Sequence, residues 1–143
     1  MEIAQLISNR NVADVVTCEA RMTVGQAVAL LAGKRIGAVP VMENGSLAGI
    51  FSERDVLYRM AEEGALCLDK PVGEVMTAPA ITVEKSTKVD EALALMTRRR
   101  IRHLPVTENG AMCGFISIGD LVKSRMDEVE AEANAMRTYI ATA

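Results

Sequence analysis

Gly114-Phe-Ile-Ser-Ile-Gly-Asp120 and, 65 residues earlier, Gly49-Ile-Phe-Ser-Glu-Arg-Asp55 are two writings of one phrase. Each is a glycine, two apolar residues, a serine, two variable residues and an aspartate. The phrase describes a short buried strand that runs straight into a helix. Ser stands at the N-cap and Asp three residues on, which is capping-box spacing. This is common helix punctuation, and capping alone accounts for it in most chains. A helix start also offers free amides and the positive end of the helix dipole to an anion. Two such starts in one small chain suggest a twofold site for phosphorylated ligands.

The copies extend well beyond the corner. Residues 15–60 laid on 80–125 give 16 identities in 46 positions without a gap, including Thr17/Thr82, Val24/Val89, Pro40/Pro105 and both Glu-Asn-Gly turns. Within the first copy, Val15–Thr17 reads as a strand. Thr23–Gln26 reads as a capping box that opens a helix with Val24, Ala27, Val28 and Leu31 at helical spacing. Ile36–Val41 and Leu47–Phe51 read as a hairpin about Asn44-Gly45, and a helix follows Ser52 until Gly64. A short amphipathic helix over Glu2–Ser8 leads in. Leu66–Pro71 links the copies, and Pro79 holds its neighbour extended before the second copy's first strand.

A unit of strand, helix, hairpin and helix exposes a sheet face that it cannot cover alone, and a second copy covers it. The expected fold is α+β, with two tandem repeats packed about a pseudo-twofold axis. Residues 1–143 form a single module, with repeats at 9–64 and 72–126 and a helical extension over 127–143. In the extension Leu121, Val122, Val129, Ala133, Met136 and Ile140 keep helical spacing, and a second subunit is the expected cover for that stripe.

Composition narrows the functions. A chain of 143 residues suits one compact domain. With two Phe, two Tyr and no Trp, the core must be aliphatic and stacking platforms for single-stranded nucleic acid are scarce. A net charge of −3 argues against nucleic acid as a partner. Cys18, Cys67 and Cys113 lack metal-type spacing and read as thiols in a reducing compartment. With neither a leader pattern nor an apolar run of about 18 residues, the expectation is a cytoplasmic protein with no membrane partner.

The duplicated stretches Ile36-Gly-Ala-Val-Pro-Val41 and Ile101-Arg-His-Leu-Pro-Val106, together with the two corners, resemble a pair of cystathionine-β-synthase (CBS) domains, the tandem unit called a Bateman module. The resemblance covers nearly the whole chain and is close to the small stand-alone bacterial members. It implies a regulatory module that binds AMP or another adenosine ligand (ADP, ATP, NAD or S-adenosylmethionine) between the repeats. It also implies a homodimer and an effector protein in trans. Carried over by position, Asp120 would accept the ribose hydroxyls of one site, with Ser117 nearby and Thr77, Pro79, Ala80 and Ile81 lining the adenine slot. Asp55 and Ser52 would take those roles in the other site, with Val15 and Val16 as the wall. Ile101 and Pro105, and in the first copy Gly37, Ala38 and Pro40, would contribute from the middle strands.

The chemistry is sound without the family. An ionised carboxylate can accept both hydroxyls of a diol, and its charge strengthens the bonds. The only basic cluster spans Arg98–Arg100 and Arg102-His103. Arg98 and Arg99 read as surface at a helix end. Arg102 and His103 replace Gly37 and Ala38 of the first copy within the middle strand, so at least one should face the inter-repeat cleft, with a role at phosphate. Arg54 stands in a first helical turn, where a cation is otherwise unfavourable; Gly119 replaces it in the second copy. The Asp120 site is therefore expected to be richer in cations and tighter. No nucleophile–base pair, metal-ligand spacing or Walker loop supports an enzyme such as a nucleotide hydrolase. The alternative is a structural dimerisation module whose corners are caps alone.

Overall fold

The structure, a computed structural model, describes residues 1–142. In chain order it contains α1 (Ile3–Leu6), β1 (Cys18–Glu19), α2 (Val24–Lys34), β2 (Ala38–Glu43), β3 (Ser46–Ser52), α3 (Glu53–Glu63) and α4 (Val72–Val75). The second half continues with β4 (Val83–Glu84), α5 (Val89–Arg99), β5 (His103–Glu108), β6 (Ala111–Ser117) and α6 (Ile118–Thr142). Each half is a three-stranded sheet, β1-β2-β3 or β4-β5-β6, whose first pair is parallel and second antiparallel. This is the α+β arrangement of two strand–helix–hairpin–helix repeats that the sequence implies.

Local chemistry sets the boundaries. Thr23 and Gln26 close the expected capping box on α2: the Gln26 amide donates to Thr23 Oγ1 at 3.1 Å and the Thr23 amide to Gln26 Oε1 at 3.0 Å. Helices α2 and α5 stop in left-handed residues, Arg35 (φ 54°) and Arg100 (φ 55°), whose following isoleucine amides turn back to Leu31 O and Met96 O at 3.0 Å. Ile36 and Ile101 belong to these closures, so the middle strands begin two residues later than the sequence suggests. The hairpins turn on Asn44-Gly45 and Asn109-Gly110, all four at positive φ, the geometry that Asn-Gly favours. The first strand also moves, from Val15–Thr17 to Cys18–Glu19. Asn11 Oδ1 accepts the Ala13 amide at 3.0 Å and caps a 3-10 turn over Val12–Asp14, so the chain reaches the ladder late.

The lead-in helices are exchanged between the repeats. Ile3 and Ile7 of α1 are buried with Val83, Val89, Leu104 and Ile116 of the second repeat. Val72 and Val75 of α4 are buried with Val24, Val39, Val41 and Phe51 of the first. Backbone bonds fix both crossings: the Ile3 amide donates to Thr87 O at 2.8 Å, and the Val72 amide to Met22 O at 2.7 Å. A four-residue helix cannot hold itself in water. Burial of such side chains, roughly 1.5–3 kcal/mol each, holds these two.

Alternation along the strands then defines the layer between the repeats. Val39, Val41 and Phe51 point into their own core, so Ala38, Pro40 and Ile50 face away from it. The second sheet does likewise with Leu104, Val106 and Ile116 inside, and His103, Pro105 and Phe115 outside. Strands β3 and β6 meet across this layer.

Candidate ligand clefts between the repeats

The corner at Ser52–Asp55 opens onto a cleft of about 100 Å³ lined from both repeats. Gly37 and Ala38 come from the approach to β2, Ile50 and Ser52 from β3, and Glu53, Arg54 and Asp55 from the start of α3. The opposite side is Thr77, Ala80 and Ile81 of the second lead-in and Ile101, Arg102 and His103 at the head of β5. Thr77 is drawn in as a one-residue strand, exchanging backbone bonds of 2.8 and 3.0 Å with Ile50. Asp55 Oδ2 accepts the Ser52 amide at 2.9 Å and lies 3.2 Å from Ser52 Oγ, while Oδ1 accepts the Thr77 hydroxyl at 2.9 Å. Two ties cross the mouth between repeats. Arg102 pairs with Glu53 at 3.1 Å, and the Arg54 guanidinium donates to the Arg100 carbonyl.

The corner at Ser117–Asp120 faces a roomier cleft of about 460 Å³, walled by Asn9–Val12 and Asp14–Val16 of the first lead-in, with Ile36, Ala38, His103, Cys113 and Phe115. Here the capping box is closed both ways. The Ser117 amide donates to Asp120 Oδ2 at 2.9 Å, and the Asp120 amide to Ser117 Oγ at 3.2 Å. Arg10 grips the same carboxylate with two nitrogens, at 2.9 Å to Oδ1 and 3.1 Å to Oδ2. Burial raises the Asp120 pKa, but the Arg10 and Ser117 bonds outweigh it and hold the carboxyl below its ordinary range.

The pairing of walls and corners is the reverse of the one carried over by position. Thr77, Ala80 and Ile81 stand with Asp55 and Ser52, while Val15 and Val16 stand with Asp120 and Ser117. The exchange of α1 and α4 is the reason, because each lead-in enters the other repeat before reaching its own strand. The cation balance is corrected with it. Arg102 and Arg54 share the Asp55 cleft, and Asp120 has Arg10, a residue with no basic counterpart in the second copy. Ile101 lines the Asp55 cleft, Pro79 is exposed at neither cleft wall, and Pro40 and Pro105 are buried in the layer between the sheets.

His103 borders both clefts and stacks on Phe115, ring centres 5.5 Å apart. Burial lowers its pKa below the ordinary 6.5, Arg102 lowers it further, and Asp120 and Glu53 pull weakly the other way. At neutral pH the imidazole is therefore uncharged and offers a single N–H instead of a cation. Arg10, Asn9 and Asn11 could not be found from the repeat, because the second copy carries no equivalent of them, and Ile50, Glu53, Cys113 and Phe115 line the clefts without having been singled out by their spacing. Among the described residues no cluster of metal-ligating side chains occurs, and no helix is long and apolar enough to cross a membrane.

This architecture has relatives. The chain is 38% identical over 128 residues to the Arabidopsis thaliana CBS domain-containing protein CBSX3, mitochondrial, and spans 86% of its own length and 62% of that protein's. The CBS-domain containing protein ATU1752 from Agrobacterium tumefaciens superposes with a TM-score of 0.80 at 37% identity, covering 87% of this chain and 92% of that one. CBSX2, solved in complex with AMP, has a TM-score of 0.75 at 23% identity over 88% of this chain and 96% of its own, a likeness of fold. The profile of the CBS domain matches residues 4–62 and again 72–127, each time enclosing one hairpin, one corner and the lead-in that crosses to the other half. Matched twice over most of its length, the chain belongs to the CBS domain family as a tandem pair.

Proposed function

We propose that the chain is a non-catalytic regulatory module that binds an adenosine nucleotide in the Asp55 cleft. AMP is the first candidate; ADP, ATP, NAD and S-adenosylmethionine share the part being recognised. One observation carries the reading: a carboxylate, two guanidinium groups and an aliphatic slot meet in a cleft drawn from both repeats. Asp55 would accept the ribose diol, trading away the Thr77 hydroxyl, while Ile50, Ala80, Ile81 and Ile101 flank the adenine. The phosphate would take Arg102, Arg54 and the amides at the start of α3. The Arg102–Glu53 pair is more than half exposed on both sides, so opening it costs less than about 1 kcal/mol.

That exchange supplies a signal. Phosphate in place of Glu53 removes a direct tie between the repeats and inserts the ligand as the new one, shifting the angle at which they meet. An effector protein in trans would read the shift, in a homodimer of modules. Three unpaired cysteines support a reducing, cytoplasmic setting. The AMP complex of CBSX2 is a reason to try AMP first. A second reading, a structural dimerisation module, has its own support: both corner carboxylates already serve as helix caps.

Thermal shift and calorimetry with the five ligands separate the two. A ligand at a hundred times its dissociation constant adds about 2.7 kcal/mol of stability. Asp55→Asn keeps an acceptor for the Ser52 amide but removes the charge. The proposal expects a shift in the wild type that this variant loses. A shift lost in Asp120→Asn instead moves the site to the other cleft. No shift with any ligand leaves the dimerisation module.

A further inference from the structure

Helix α6 outruns its counterpart α3, and most of the excess touches nothing. Leu121 and Ser124 are buried against the second repeat, and Glu128 reaches the Met1 ammonium at 3.3 Å. From Val129 to Thr142 every residue is exposed. A bare helix of that length is marginal in water. Its pattern shows what would hold it. Val122, Met126, Val129, Ala133, Met136 and Ile140 recur at alternating steps of four and three, a strict seven-residue repeat from Val122 to Ile140. Met126, Met136 and Ile140 are each at least 60% exposed. A period of 3.5 residues suits a left-handed supercoil with another helix, whereas a face packed on a globule drifts with the 3.6-residue turn. At about 100° per residue the seam lies about 100° round the helix from Leu121 and about 160° from Ser124, so the repeat does not obstruct it.

The charges beside the seam choose the partner and its direction. Arg125 and Glu132 line one shoulder, and Glu130 and Arg137 the other. With a second α6 parallel and in register, Arg125 faces Glu130 of the second copy and Glu132 faces its Arg137, both opposite in sign. A fully overlapped antiparallel pair sets Glu130 against Glu130, Glu132 against Glu132 and Lys123 against Arg137. We propose that α6 pairs with the α6 of a second copy of this chain as a parallel, in-register two-stranded coiled coil. The pairing assigns a surface and a direction to the homodimer and does not depend on nucleotide binding.

Sedimentation velocity of the full chain at micromolar concentration tests it. The wild type is expected to run at twice the chain mass. Val129→Glu puts a charge in the seam at an exposed position, where folding is not at risk, and should weaken the dimer by about tenfold or more. Glu132→Arg and Arg137→Glu should each weaken it, and the double variant should recover. Met136→Cys should cross-link to itself under mild oxidation. A monomeric wild type, or a dimer indifferent to Val129→Glu, overturns the proposal. So does sensitivity to Val129→Glu without the Met136→Cys cross-link, which would place the stripe on another surface of the second copy, such as the exposed Leu57 and Tyr58 of α3.

Discussion

Gly49 and Gly114 occupy the same place in the duplicated corner, yet their replacement by alanine should have very different consequences. A Cβ at Gly49 would stand 2.6 Å from the Thr77 carbonyl oxygen and 2.8 Å from Met76 Sδ. Ordinary contact begins near 3.4 Å, so the lead-in must retreat by about 0.8 Å, and its backbone oxygen cannot swing aside as a side chain could. That retreat stretches the pair of bonds between Thr77 and Ile50, now 2.8 and 3.0 Å, beyond useful length. Two lost bonds at about 1 kcal/mol each, with overpacking of about 1–3 kcal/mol, give roughly 3–5 kcal/mol. The stiffer unfolded chain returns about 0.4–1 kcal/mol. At Gly114 the one tight contact of the added Cβ is Ile7 Cδ1, at 3.1 Å, the far end of a side chain; Ile7 Cγ2 and Val106 Cβ, both at 3.7 Å, are ordinary contacts. There the two small contributions nearly cancel. Urea unfolding should therefore show Gly49→Ala destabilised by about 2–5 kcal/mol and Gly114→Ala within about 1 kcal/mol of the wild type. Because the same retreat pulls the Thr77 hydroxyl from Asp55, any adenosine binding should weaken with it. Equal, small effects at both glycines would refute the crossing of the second lead-in over β3.

Arg10→Ala should lower stability by less than about 1 kcal/mol, since the pair it makes with Asp120 is partly exposed on both sides, and should uncover the Asp120 carboxylate. Calorimetry with AMP is then expected to show a binding event that the wild type lacks; an unchanged isotherm removes Arg10 as a mask, and weakened binding makes it a phosphate ligand. His103 should give the wild type a pH-dependent stability near neutrality. Its folded pKa lies below the unfolded 6.5, so the unfolded chain takes up the proton first and stability falls as the pH drops from above 6.5 to the folded value. His103→Gln should flatten that part of the curve in denaturation series between pH 5 and 8; an unchanged slope assigns it to other groups.

The repeat made most of this legible. Identical residues at one offset placed both corners, both Asn-Gly hairpins and the helix between, because each feature depends on short-range chemistry that the chain states locally. The crossed lead-ins were not legible. Ile3 and Ile7, like Val72 and Val75, are apolar residues of short amphipathic segments, and nothing in such a segment says which of two similar cores it enters. That choice is made by the whole packing, by bonds such as Ile3 to Thr87 and Val72 to Met22. Every cleft wall assigned by position inherited the ambiguity. Arg10 shows the complementary failure, since a residue outside the repeat gains its role only when α1 delivers it to Asp120.

The exchange bears on how such a module can work. Had each repeat closed its own cleft, a ligand could fill one without disturbing the other repeat. Here the Asp55 cleft takes its far wall from Thr77, Ala80, Ile81 and residues 101–103, and the Asp120 cleft takes its own from residues 9–12 and 14–16 with Ile36 and Ala38. Ala38 and His103 border both. Under the proposed reading, a nucleotide at Asp55 must move the head of β5, and with it the His103 ring that stacks on Phe115 in the neighbouring cleft. In that reading the Asp120 cleft would change shape without being touched. Coupling of this kind is reciprocal, so whatever loosens Arg10 from Asp120 must also alter affinity at Asp55. The lone histidine, its pKa lowered by burial so that it is uncharged at neutral pH, sits on the wall that the two clefts share, where that coupling would have to pass.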